Sequence, residues 1–67
     1  MTNTQFAAIK RSVMRLLVEN KGKMITIREI RRYANAELRL TEQVSELQVK
    51  NALAKIIEVA NKKKTGA

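Results

Sequence analysis

The chain has 67 residues, enough for one domain, and fourteen lysines and arginines outnumber six acidic residues to give a net charge of +8. It contains no cysteine and no histidine, so it can form no disulfide and no thiolate or imidazole metal site. All six acids are glutamates that stand singly among the cations, so we expect salt bridges rather than catalysis, and no enzyme activity, metal or cofactor. The charge indicates an anionic partner, most often nucleic acid or a membrane surface.

No apolar run approaches the length of about eighteen residues that a membrane span needs, and the N-terminus lacks a signal-peptide pattern. We therefore expect a cytoplasmic protein, associated with the nucleoid of a microbe or, if it is viral, located in the host cytoplasm. A core this small supplies only about 3–5 kcal/mol of stability, which favours either closely packed helices or a homodimer.

The first predicted helix has three candidate N-cap residues, Thr2, Asn3 and Thr4, and runs to about Glu19. Gly22 suits the left-handed position that follows a helix. Apolar side chains recur at steps of three and four residues and predict one buried stripe. The residues of this stripe are Phe6, Ile9, Val13, Leu16 and Leu17.

Residues 23–27 are rich in β-branched side chains and predict either one short strand or an extended linker. Thr26 and Glu29 have the spacing of a capping box that opens the second helix, in which Ile27, Ile30, Ala34 and Leu38 are the predicted buried positions. The arginines of this helix are spaced mainly four residues from each other or from Asn35 rather than from acids. Such uncompensated like charges destabilise a helix, which indicates that they have another use. We expect that use to be phosphate binding, with an ordinary solvated face as the alternative, and the predicted contacts are Arg28, Arg31, Arg32 and Arg39.

Residues 40–44 leave two alternatives, a short helix capped by Thr41 or a loop that carries Val44 into the core. Ser45 and Gln48 then form a second predicted capping box, and a third helix runs to residue 64. Its predicted buried stripe comprises Val49, Ala52, Leu53, Ile56 and Ala60.

Amides and cations occupy another side of the third helix, a layout that is typical of helices that read the major groove. The predicted base-facing residues are Gln48, Lys50, Asn51 and Lys55, with Ser45 donating to a phosphate or base edge. Lys62, Lys63 and Lys64 either match the negative end of the helix dipole or belong to a flexible basic tail, residues 62–67, that tracks a phosphate backbone.

In this order the chain resembles the winged helix-turn-helix family. Residues 25–30 (ITIREI) look like the family's first strand entering its second helix, and residues 45–58 (SELQVKNALAKIIE) look like its recognition helix. The resemblance implies a mainly α, three-helix helix-turn-helix domain over residues 1–67 that binds double-stranded DNA. No two-stranded wing follows the third helix, and the connection before that helix is longer than a tight turn. A weaker similarity, to the helical C-terminal domain of the DEK chromatin protein, also implies DNA binding.

The sequence thus predicts a small DNA-binding protein, a transcriptional regulator or nucleoid-type accessory factor, with the third helix in the major groove and the arginines of the second helix on phosphates. The main alternative is a helical interaction module, an inhibitor or adaptor, that binds an acidic protein. A ribbon-helix-helix dimer is a further topology, against which the long first helix argues. A basic amphipathic peptide on a membrane surface is the remaining alternative, and three separately capped helices favour a fold instead.

Overall fold

The computed structural model describes residues 1–21 and 23–65, with the side chains of this part as far as residue 62. It contains the α-helices α1 (Asn3–Asn20), α2 (Ile27–Glu37) and α3 (Glu46–Thr65), with a 3-10 turn at Leu40–Glu42. The small, mainly α, three-helix domain expected from the sequence is confirmed. Within the described ranges there is no strand, so residues 23–26 form a connection, the second of the two alternatives left open for this segment. None of the described helices has both the length and the apolar character that crossing a membrane requires.

Helix α1 begins with a capping box. The Thr2 hydroxyl oxygen accepts the Gln5 N–H at 3.2 Å, and the Thr2 N–H donates to Gln5 Oε1 at 2.9 Å, so Thr2 is the N-cap among the three candidates. After the helix ends at Asn20, Lys21 takes the left-handed conformation, with φ 44° and ψ 53°. That conformation was expected at Gly22, which lies outside the described residues. A non-glycine residue in this region costs roughly 1 kcal/mol.

The core is built from all three helices and from the connection between α2 and α3. Its buried apolar side chains are Ala8, Ile9, Leu16, Ile30, Ala34, Leu38, Val44, Val49 and Ala52. The stripe predicted for α2 is confirmed at its three buried positions, and Ile27 packs against it half-buried. Each of the three helices therefore contributes one of its sides to a shared core.

Two predicted core positions are wrong. On α1 the buried side is turned toward Ala8 and Ser12, so Leu17 is 53% exposed and Phe6 is only half-buried. On α3, Ala60 is exposed although it continues the stripe of Val49 and Ala52. Two neighbouring helices cover only part of each helix in so short a chain, which leaves the margins of the predicted stripes open to solvent.

The connection between α2 and α3 is a loop that carries Val44 into the core, where this side chain is 4% exposed. Thr41 lies inside the 3-10 turn, whose N-cap position is Arg39, and so it does not cap a helix. The Asn35 side chain holds the loop, because its Oδ1 accepts the Val44 N–H at 2.8 Å and its Nδ2 donates to the Val44 carbonyl at 3.1 Å. Gln5 Nε2 also donates to the Glu42 carbonyl at 2.9 Å, which ties the loop to α1.

Polar contacts join α1 to one flank of α2. Arg11 and Glu37 form an ion pair at 3.0 Å, and an exposed pair of this kind contributes roughly 0.2–1 kcal/mol. The Tyr33 hydroxyl donates to Glu19 at 2.7 Å. These contacts identify the flank of α2 that faces α1.

The titration of Tyr33 tests this contact. The hydrogen bond to the Glu19 carboxylate, then desolvation and the negative charge of Glu19, raise the pKa of Tyr33 above its ordinary value of about 10. Because the pKa is higher in the folded chain, the stabilisation is complete below about pH 10 and is lost as pH rises through the folded pKa. We expect Glu19→Gln to lower this pKa toward the ordinary value.

The measurement is the ultraviolet absorbance of the phenolate, which reports Tyr33 alone because the chain has one tyrosine and no tryptophan. Glu46→Gln, which removes an exposed glutamate on α3, is the control and should leave the titration unchanged. Identical titrations of the parent chain and of Glu19→Gln would contradict the expected contact.

Candidate nucleic-acid interface

Arginine side chains occupy the flank of α2 that points away from α1. Successive residues of a helix lie about 100° apart, so Arg32 is well separated from Tyr33, which faces α1. Arg28 and Arg32 are exposed on this flank, and Arg31 is half-buried beside it. Arg39 is also exposed but lies beyond the end of α2, whose C-cap is Leu38, so the helix does not fix its direction. We call Arg28, Arg31 and Arg32 the arginine flank.

The charges of the arginine flank are uncompensated within the described part of the chain. None of Arg28, Arg31 and Arg32 forms an ion pair with a described residue. The Nε of Arg31 is buried and has no hydrogen-bond partner among these residues. A buried donor left unsatisfied costs about 1–3 kcal/mol, and more when the group is charged.

The start of α3 is fixed by the predicted capping box, which is confirmed. The Ser45 N–H donates to Gln48 Oε1 at 2.9 Å, and the Gln48 N–H donates to the Ser45 hydroxyl oxygen at 3.3 Å. Gln48 was expected to face outward, but it is half-buried because its amide oxygen is held against the helix start. The Ser45 hydroxyl and the Gln48 amide nitrogen keep donor hydrogens that these bonds do not use.

The four residues predicted to face bases do not form one surface. Asn51 and Lys55 are exposed and border a groove with Thr2 and Asn3, on the side of α3 that faces the start of α1. Lys50 lies on the opposite flank of α3, about 100° from Asn51 around the helix. Cations therefore lie on both flanks of α3, and the arginine flank belongs to the Lys50 side.

Sequence reasoning missed Leu47, which is 67% exposed in the first turn of α3. It lies opposite the buried Val49 side of the helix, between the two cationic flanks. The sequence did contain a signal for the exposure of Leu47, because this residue lies half a turn around the helix from the apolar stripe. An outward apolar side chain in this position is suited to the methyl group of thymine. Glu58 stands farther along the same side, and Glu46 is exposed in the first turn, so the outward side of α3 carries acidic as well as basic residues.

The C-terminal lysines continue the helix. Helix α3 extends to Thr65, so the backbone at Lys62, Lys63 and Lys64 is helical, which matches the helix-dipole alternative for these positions. Lys62 is exposed. The side chains of Lys63 and Lys64, and the remainder of the predicted tail at residues 66–67, lie outside the described residues.

None of the protein-family models, curated proteins and solved structures compared with this chain matches it. The helix-turn-helix resemblance therefore stays a hypothesis that depends on the residues themselves.

Proposed function

We propose that this chain is a small double-stranded DNA-binding protein, a regulator of transcription or a nucleoid-type accessory factor. The observation that supports it best is the arginine flank of α2, whose members form no ion pair with a described residue. Clustered like charges destabilise a helix, and binding them to phosphates releases counterions and gives affinity. The repulsion that destabilises the free helix is thus offset when the arginines bind phosphates.

In this proposal the first turns of α3 enter the major groove, which is wide enough for one helix and has a phosphate backbone on each side. The arginine flank and Arg39 contact phosphates along one backbone. Asn51 and Lys55, on the other flank of α3, reach base edges or the opposite backbone. Lys50 contacts bases from the side of the arginine flank, Gln48 lies on the same flank as Asn51 and Lys55, and Ser45 donates to a phosphate.

The cations at the end of α3 enlarge the electrostatic footprint of the domain. Lys62, Lys63 and Lys64 continue past the packed part of α3, where they add sequence-independent attraction to phosphates. Contacts of this class position a protein on DNA, whereas Asn51 and its neighbours would select the sequence.

The salt dependence of binding tests the proposal. If about six phosphates are contacted, the logarithm of the association constant should fall with the logarithm of salt concentration at a slope near −5. Fluorescence anisotropy of a labelled duplex, titrated with protein between about 50 and 200 mM salt, measures this slope. An affinity that stays constant over this range would exclude the proposed function.

A further inference from the structure

A continuous groove lies between α1 and α3. It consists of two hollows, of about 430 and 230 Å³, that share the side chain of Phe6. Lys10 borders it on α1 and Lys55 borders it on α3. Between them the floor is apolar and comprises Phe6, Ala52, Ile56, Val59 and Ala60.

This groove is open because α3 extends beyond its packing partners. Val59 is 51% exposed and Ala60 is exposed, although both continue the side of α3 that is buried at Val49 and Ala52. On α1 the apolar surface continues past Lys10 to Met14 and Leu17, which are 61% and 53% exposed. These exposed side chains extend the apolar surface beside the groove, and contiguous exposed apolar surface on a soluble protein often marks a binding site.

We propose that the groove between α1 and α3 docks an acidic amphipathic helix of another protein. An amphipathic helix binds a groove through apolar side chains at spacings of three and four residues, and the floor supplies apolar contacts along more than one helical turn. Lysines stand on both walls, and none of the described residues that line the groove is acidic. Glutamates beside the apolar stripe of the partner would pair with Lys10 and Lys55.

Charge argues against a second copy of the chain in the groove, and the apolar floor argues against a nucleic acid. A second copy would bring its own Lys10 and Lys55 to the same surface, in a chain whose net charge is already +8. A nucleic acid would satisfy the lysines but would leave Phe6 and Val59 without an apolar partner. The inference is argued separately from DNA binding, which rests on the arginine flank of α2, but Lys55 belongs to both surfaces, so DNA and the acidic helix would compete for it.

The test uses the full chain and a designed peptide of about sixteen residues, with leucines at spacings of three and four and glutamates elsewhere. Nuclear magnetic resonance titration should shift the amide signals of Lys10, Lys55 and Val59. Val59→Ser should weaken binding about tenfold and Lys10→Gln about threefold, as expected for lost apolar burial and for one lost charge pair.

Matched controls are Ile57→Ser and Arg15→Gln, which alter exposed positions outside the groove and should leave the affinity unchanged. The proposal is overturned if a peptide concentration of about 1 mM shifts no groove residue, or if Ile57→Ser weakens binding as much as Val59→Ser. It is also overturned if sedimentation finds a dimer that Val59→Ser dissociates, or if duplex DNA shifts Val59 and Ala60 as strongly as the peptide does.

Discussion

Replacing Arg28 and Arg32 together by glutamine should weaken binding to duplex DNA roughly thirtyfold at about 0.15 M salt, because two phosphate contacts and their released counterions are lost. The slope of the logarithm of affinity against the logarithm of salt should become shallower by about 2. The loss should be the same for unrelated DNA sequences, because phosphates carry no sequence information. Anisotropy titrations on two unrelated duplexes at several salt concentrations measure all three quantities.

The matched control removes the same charge from another side of the molecule. The double variant Arg15→Gln with Lys21→Gln alters exposed positions on α1 and at its C-cap, and it also lowers the net charge of +8 by two. We expect little change in slope, because these cations belong to α1 and its C-cap and not to the arginine flank of α2. Equal losses in the two double variants would mean that general electrostatic attraction, and not this flank, holds the DNA.

Local chemistry made the helix starts predictable. A capping box joins residues only three positions apart, so the box of Ser45 with Gln48 was predicted without knowing the fold, whereas Thr2, which forms a box with Gln5, was one of three N-cap candidates. At the start of α2 only half of the box forms, since the Glu29 side chain accepts from the Thr26 hydroxyl instead of the backbone. Helix boundaries and the buried positions of α2 followed from such short-range patterns.

Long-range packing set what the sequence could not show. Periodicity gives the direction of an apolar stripe but not how much of it the neighbours cover, so the exposure of Leu17 and Ala60 depends on how the helices cross. The separation of Lys50 from Asn51 follows from helix geometry, but which of the two sides faces α1 depends on the packing. The sequence therefore predicted which residues are candidates better than it predicted how the fold arranges them.

Asn35 shows how similar residues acquire different roles. By spacing it was grouped with the arginines of α2, yet its amide makes two hydrogen bonds to Val44, nine positions along the chain. Asn51 has no such bond to a described residue and is exposed. Nothing in the local sequence distinguishes the two amides, since the difference depends on a loop that only the fold brings to Asn35.

Asn35→Ala should lower the free energy of unfolding by about 2 kcal/mol, because the buried Val44 N–H and carbonyl lose their partners. That is a large part of the roughly 3–5 kcal/mol expected for a core of this size. Asn35→Asp should cost less, since it keeps an acceptor for the Val44 N–H. Urea unfolding followed by circular dichroism measures each value.

Asn51→Ala is the matched control for stability, and it should change the unfolding free energy by less than about 0.5 kcal/mol because the side chain is exposed. If α3 reads bases, the same variant should relax the preference at one base pair by about 1–3 kcal/mol. Asn35→Ala, measured at a temperature where it stays folded, should leave that preference intact. The two asparagines would then have separate roles. Asn35 holds the loop that positions α3, and Asn51 contacts a base from that position. A stability loss at Asn51 equal to that at Asn35 would refute this division.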